Sequence, residues 1–286
     1  MLRKNFLTSL AMLTMGMVSV HANAVQRAYV ASFGLDSNVS FSCDVNRPCR
    51  FFQAATTVVD NNGEVVALDS AAYGAVTLTR SISLTGPTGA YTGIAVFPGA
   101  NGVTVATAGI NVILRGLTIN GQGGGNGVEM TAGSRLTIEN CTIANMNGSG
   151  IFVDTNAFVR VTDTTIRDNG GSGITLSAGS TATITRAMIS GNAGPGVFVY
   201  GIAAGTTTLA NLADTTLNGN SYGLYVSSGG ATAVAKGSVY GSRIVRNTII
   251  GLYNVGPAAT LDSAGNNSLR DNVLDRSGTI TVTGMQ

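Results

Sequence analysis

The chain has 286 residues, of which only 10% are charged, and 39 are glycines; its formal net charge is +2. Such a balance excludes a basic surface for nucleic acid. The one His, His21, falls in a segment expected to be removed. The remainder is therefore closed to Ser-His-Asp and Cys-His catalysis and to His-ligated zinc.

Residues 1–24 read as a secretory signal peptide. Arg3 and Lys4 give the charged start, Phe6 to Val20 the apolar run, and Ala22-Asn23-Ala24 a small-x-small cleavage site. Cleavage removes two of the 16 basic residues and leaves 14 against 14 acidic groups. No later segment is long and apolar enough to span a bilayer. The expected destination is secreted, periplasmic or cell-surface.

Residues 25–62 are expected to form an N-terminal cap. Arg27 to Ala31 suits an edge strand. Cys43 and Cys49, in an exported protein, suit a small disulfide loop. Phe51, Phe52, Ala55, Val58 and Val59 make an apolar stripe at helical spacing, stopped by Asn62-Gly63. A short helix over residues 50–60 would cover the open end of the first coil, as solenoids require.

Residues 63–126 hold the first β segments: Val65–Leu68, Ala75–Leu78, Ser81–Leu84 and Ile94–Val96. Gly121 to Gly127 reads as a bend. It lacks the Lys and the strand-to-helix context of a phosphate loop.

A repeat dominates from Gly127 onward. Gly127-Val128-Glu129-Met130 returns as Gly150-Ile151-Phe152-Val153, Gly173-Ile174-Thr175-Leu176 and Gly196-Val197-Phe198-Val199, 23 residues apart. Gly223-Leu224-Tyr225-Val226 and Gly251-Leu252-Tyr253-Asn254 come after 27 and 28 residues. Ile119, Ile143, Ile166, Ile189, Leu217, Ile244 and Leu269 keep the same beat. So do Asn169, Asn192, Asn220, Asn247 and Asn272. A period this short, rich in alternating Val, Ile and Thr, predicts a β-solenoid of about eight or nine coils over residues 63–286. Each coil should carry roughly three short strands that stack in parallel about 4.8 Å apart. The row Val128, Ile151, Ile174, Val197, Leu224, Leu252 should point inward, with Met130, Val153, Leu176, Val199 and Val226. The Asn row should sit at a sharp bend, because Asn tolerates left-handed backbone and stacked amides can bond coil to coil.

The pattern Ile-x-x-Asn-x-x-x-Gly-Ile-x-Val resembles right-handed parallel β-helix repeat proteins of the pectin-lyase-like fold, in particular secreted bacterial members of unassigned function. Those also carry a short Cys-x(n)-Pro-Cys segment before the first coil, here Cys43 to Cys49. The resemblance implies an all-β right-handed parallel β-helix. It implies no single activity, since the fold hosts lyases, hydrolases, adhesins and rods.

Chemistry needs the charged and aromatic rows. Asn140, Asp163, Arg186 and Asp214 alternate charge along the stack and read as a surface ion ladder. Ile166-Arg167-Asp168-Asn169 and Leu269-Arg270-Asp271-Asn272 repeat one turn, which suits a fold element. Lyases of the resembling fold cluster carboxylates around calcium with a basic residue; polygalacturonases cluster three Asp with a His. No Asn-x-Asp, Asp-Asp or Gly-His-Gly motif occurs here. Glu129, Asp154 and Asp163 remain as candidate catalytic carboxylates. Calcium takes about six to eight oxygens, more than three scattered carboxylates offer, so no cofactor is expected. Cys141 reads as a buried structural thiol.

The outward row carries Phe152, Phe198, Tyr225 and Tyr253, with Tyr200 two positions past Phe198. Exposed aromatics on one flat sheet mark contact with something. A polysaccharide or cell-surface glycan is the expected partner, since sugar rings stack on such faces. The expected function is an exported, non-catalytic β-helix protein binding a polysaccharide or another surface. The alternatives are a polysaccharide lyase or glycoside hydrolase around Glu129, Asp154 and Asp163, and a structural or adhesive rod.

Overall fold

The computed structural model describes residues 25–284. The predicted signal peptide, its cleavage site and His21 lie outside the described residues. The rest is an all-β solenoid: three parallel sheets of 11, 9 and 9 strands, each formed by one strand from every coil. A representative coil runs through Phe158–Thr162 in the first sheet, Thr165–Arg167 in the second and Ile174–Ser177 in the third. The nine-stranded third sheet carries the Gly-Ile-x-Val motif and matches the expected coil number.

Pairing is in register, residue for residue. Ile151 lies beside Ile174 and Ile174 beside Val197, while Phe152 lies beside Thr175 and Thr175 beside Phe198. Alternation within each strand then sends one row in and the next out. Val128, Ile151, Ile174, Val197, Leu224 and Leu252 are fully buried, as are Met130, Val153, Leu176, Val199 and Val226. Each such side chain contributes about 1.5–3 kcal/mol of apolar burial. The motif glycine is required by space. A Cβ on Gly173 would stand 2.4 Å from Ile189 Cγ2 and 2.6 Å from the Gly196 carbonyl oxygen of the next coil.

Two corners have a fixed construction. Between the first and second sheets, Asn140, Asp163, Arg186 and Asp214 hold positive φ of 50–53°. Between the second and third, Asn145, Asp168, Gly191, Gly219, Arg246 and Asp271 do so at 54–66°. This corrects one expectation for the Asn row. The left-handed residue is the one before each Asn, so tolerance of left-handed backbone does not select these asparagines. Hydrogen bonding does. Asn169 Nδ2 donates to Asn192 Oδ1 at 2.8 Å, and Asn192 Nδ2 to Asn220 Oδ1 at 2.8 Å. Asn220 continues to Asn247 at 3.3 Å and Asn247 to Asn272 at 2.8 Å. Each Oδ1 also accepts a backbone N–H from the preceding coil, as Asn192 Oδ1 does from Asn169. Asn169, Asn192, Asn220 and Asn247 are buried with their amides bonded on both sides, and Asn272 at the end of the row is half-buried.

The third corner, from third sheet back to first, varies. Leu176 pairs with Val199 and Thr181 with Leu209, so a path of 5 residues in one coil becomes 10 in the next. The coil after it keeps the longer path, since Val199 pairs with Val226 and Leu209 with Lys236. The five added residues account for the 28-residue repeat, and the 27-residue one also has a path from Leu217 to Leu224 one residue shorter than that from Ile189 to Val197.

The N-terminal region closes the first coil. Val25–Val30 pairs in parallel with Val59–Ala67 at the sheet edge. Cys43 and Cys49 form a disulfide, and Val30 bridges to Cys49. The helix expected over residues 50–60 is only Phe52–Ala55. The chain is already extended at Val59, and its strand runs through Asn62-Gly63. The apolar stripe at helical spacing therefore divides. Phe52 and Ala55 plug the solenoid from the helix, with Phe52 5.4 Å from the Tyr73 ring, and Val59 joins the sheet.

Candidate functional site

The outward row of the third sheet runs Thr77, Thr104, Glu129, Phe152, Thr175, Phe198, Tyr225, Tyr253 and Ser277, each beside the next. The aromatic members are half-buried. Four of the five expected aromatics form one cluster. Phe198 stacks on Tyr200 at 5.4 Å and meets Tyr225 at 4.8 Å; Tyr225 stacks on Tyr253 at 4.7 Å. Tyr222 completes it, 5.0 Å from Tyr225 and 5.6 Å from Tyr253. Sequence reasoning missed Tyr222, which lies off the Gly-x-x-Val row; its place three residues before Tyr225, at the start of the strand, was the available signal. Phe152 stands apart, two coils from Phe198 across Thr175.

Stacking of like rings along the axis results from the register, which puts Phe198, Tyr225 and Tyr253 at the same position of successive coils. Their contacts are within the range at which aromatic pairs attract. Burial among the rings pushes the Tyr225 hydroxyl above the usual phenol range, with Tyr253, Tyr222 and Tyr200 adding to the rise.

The polar half of the same face is built around Glu129. Asn101 Nδ2 donates to Glu129 Oε2 at 2.7 Å and Asn126 Nδ2 to Oε1 at 3.1 Å. Asn101, Thr77, Thr104 and Gln53 flank it in a shallow groove. Asp154 lies one coil on, accepting from Ser177 Oγ at 2.6 Å. Asp163 does not join them. It occupies the bend between the first and second sheets, the corner opposite this face, and is held by Arg186 at 2.7 and 2.8 Å. Its carboxyl lies below the usual range chiefly because of the Arg186 hydrogen bond. The three carboxylates thus form no common cleft. Among the described residues no group of three His, Cys, Asp or Glu could hold a metal ion.

Cys141 is buried, with its thiol pushed up to about 11 by burial. It donates to the Leu114 and Glu139 carbonyls. That environment suits structure and opposes nucleophilic use.

Residues 90–239 match the family described as right handed beta helix region, and the chain belongs to that family. Two solved structures share its architecture. Pectate lyase Pel9A superposes with a TM-score of 0.66 at 16% identity, over 92% of this chain and 79% of that one. The periplasmic alginate epimerase AlgG superposes with a TM-score of 0.54 at 13% identity, over 79% of this chain and 61% of that one. At such identities the likeness is one of fold. Among curated proteins no sequence relative matches.

Proposed function

We propose that this is an exported β-helix protein that binds a polysaccharide or cell-surface glycan through the aromatic half of its third sheet, without transforming it. One observation carries the reading: Phe198, Tyr200, Tyr222, Tyr225 and Tyr253 form a continuous, half-exposed cluster on a flat face. Ring faces of this kind stack on the C–H faces of sugars, and the tyrosine hydroxyls supply hydrogen bonds at the edges. The coil spacing of about 4.8 Å lays the rings along the solenoid axis, so an extended chain of sugars can track it. The Cys43–Cys49 disulfide supports an oxidising destination. The names of the two structural neighbours, a pectate lyase and an alginate epimerase, support a carbohydrate role.

The test is a panel of neutral and acidic polysaccharides offered to the purified protein, with binding and product release scored together. Binding without products, weakened in Tyr225→Ala and Tyr253→Ala, supports the reading. Wild-type affinity in both variants refutes it.

A second reading is favoured by Glu129, whose two oxygens are oriented by Asn101 and Asn126 beside a groove on the same face. In it Glu129 serves as the base or acid of a lyase or hydrolase. Product formation that disappears in Glu129→Gln while binding survives would select it.

A further inference from the structure

The first sheet carries a feature that the aromatic face does not explain. Its outward side holds a compact grid on three successive coils: Arg135, Phe158 and Thr181 in one row, Thr137, Arg160 and Thr183 in the next. These six side chains line an open groove. Phe158 is 61% exposed in it. The Arg135 guanidinium sits over the Phe158 ring, 5.9 Å from its centroid.

The charge in this groove is uncompensated. Neighbouring carboxylates are already engaged: Glu139 by Arg115 at 2.7 Å, and Asp163 by Arg186 at 2.7 Å. Among the described residues Arg135 and Arg160 have no acidic partner within ion-pair distance. Arg27, Arg47 and Arg167 are paired with carboxylates. Among the described residues Arg243, Arg246 and Arg276 are not, but of these unpaired arginines only Arg135 and Arg160 flank an exposed aromatic ring in a groove. Two guanidiniums set diagonally on adjacent coils repel one another weakly, and an anion between them would relieve this. Guanidinium forks suit planar carboxylates, to which they bond bidentately. Phe158 offers a ring face between the two charges, and Thr137, Thr181 and Thr183 offer hydroxyls around it.

We infer that the groove formed by Arg135, Phe158 and Arg160 is a second glycan subsite, selective for a carboxylated sugar chain. The sugar ring lies on Phe158, its carboxylate is taken by Arg160, and Arg135 takes the carboxylate of the adjoining unit. The site is on a different sheet from the aromatic cluster and does not depend on it. The aromatic row itself carries no Lys or Arg between Thr77 and Tyr253, so the two faces differ in the charge they accept.

The probe is a galacturonate hexamer, with its fully methyl-esterified form as the uncharged control and a sulfated disaccharide oligomer of equal length as the alternative anion. Binding to the full chain is measured by calorimetry at low and moderate salt. The acid should bind, weaken as salt rises, and exceed its ester by about tenfold or more, the value of one charge-assisted bond. Arg135→Gln and Arg160→Gln should each lower its affinity about tenfold. Both side chains are exposed, so thermal melting should be unchanged. Tyr225→Ala should leave this affinity unchanged. Equal binding of acid and ester overturns the inference, as does wild-type affinity in both arginine variants. Preference for the sulfated oligomer overturns the carboxylate assignment. Loss of acid binding in Tyr225→Ala alone places acidic sugars on the aromatic face and removes the second subsite.

Discussion

The asparagine corner and the aromatic face are both stacks of like side chains, built on the same coils. In the corner, each amide of Asn169, Asn192, Asn220 and Asn247 meets the next, and every donor and acceptor is met inside the protein. On the face, the rings meet one another along the axis, but their outer sides remain open. The corner also continues as far as its neighbours allow, ending on Asp275, which accepts from Asn272 Nδ2 at 2.9 Å. The aromatic cluster begins abruptly after Thr175. Repetition that is completed internally supports the fold. Repetition confined to a few coils and left open on one side is where a partner fits.

The comparison can be broken at several strengths. The largest effect belongs to the core beneath both regions. Ile174→Ala should cost about 2–5 kcal/mol in chemical denaturation, while its outward neighbour Thr175→Ala should cost little. Equal losses would dissolve the distinction between inward and outward rows. Next is the corner itself. Asn192→Leu should destabilise by about 1–3 kcal/mol, because the amides of Asn169 and Asn220 lose partners in a buried place. An unchanged melting curve would mean that the ladder is decorative.

The face should respond in binding instead. Tyr225→Ala should weaken glycan affinity by about 1–2 kcal/mol, an aromatic contact plus lost buried area, and leave the fold intact by circular dichroism. Unfolding would make the cluster a structural ladder like the asparagines. Phe152→Ala, outside the cluster, should change affinity less than Tyr225→Ala in the same titration. The smallest effect is at the exposed Asp163–Arg186 pair. Asp163 has a depressed folded pKa, so its contribution is present above the unfolded value and lost as pH falls through the folded one. Asp163→Asn should therefore lower stability slightly at neutral pH and flatten the acid-side slope, the two profiles converging once pH falls below the folded pKa.

Most of the solenoid was legible because its signals repeat. A single inward Ile says little, but Ile151, Ile174 and Val197 at constant spacing fix strand, register and face together. The cap was less legible because it occurs once. Phe51 to Val59 fits a helical period, yet tertiary pairing with Val25–Val30 draws Val59 into a strand. The role of the Asn row was half legible. Stacked amides result from register, whereas which residue takes the left-handed backbone depends on where each bend begins. The aromatic row was readable from alternation, but Tyr222 was not, since it enters by packing across the strand. The Arg135–Phe158–Arg160 groove was illegible because a repeat advertises rows that recur, and these residues share a grid of only three coils.

The variable third corner has a consequence for change by insertion. In the coils from Ile138 to Leu252 the first-to-second path stays at 5 residues and the second-to-third path at 7 or 8, set by left-handed residues and side-chain ladders, so added residues there would break a stack. The corner between third and first sheets has already accepted a longer path twice, at 199–209 and 226–236, without disturbing the pairing of Val199 with Val226. Those two longer loops leave the third sheet beside Tyr200 and the ring cluster. The solenoid therefore separates a constant frame from an exchangeable rim, and the rim borders the face where a partner would sit. Loops of other sequence and length could be grafted there to alter what is recognised, while the coils below keep their pitch.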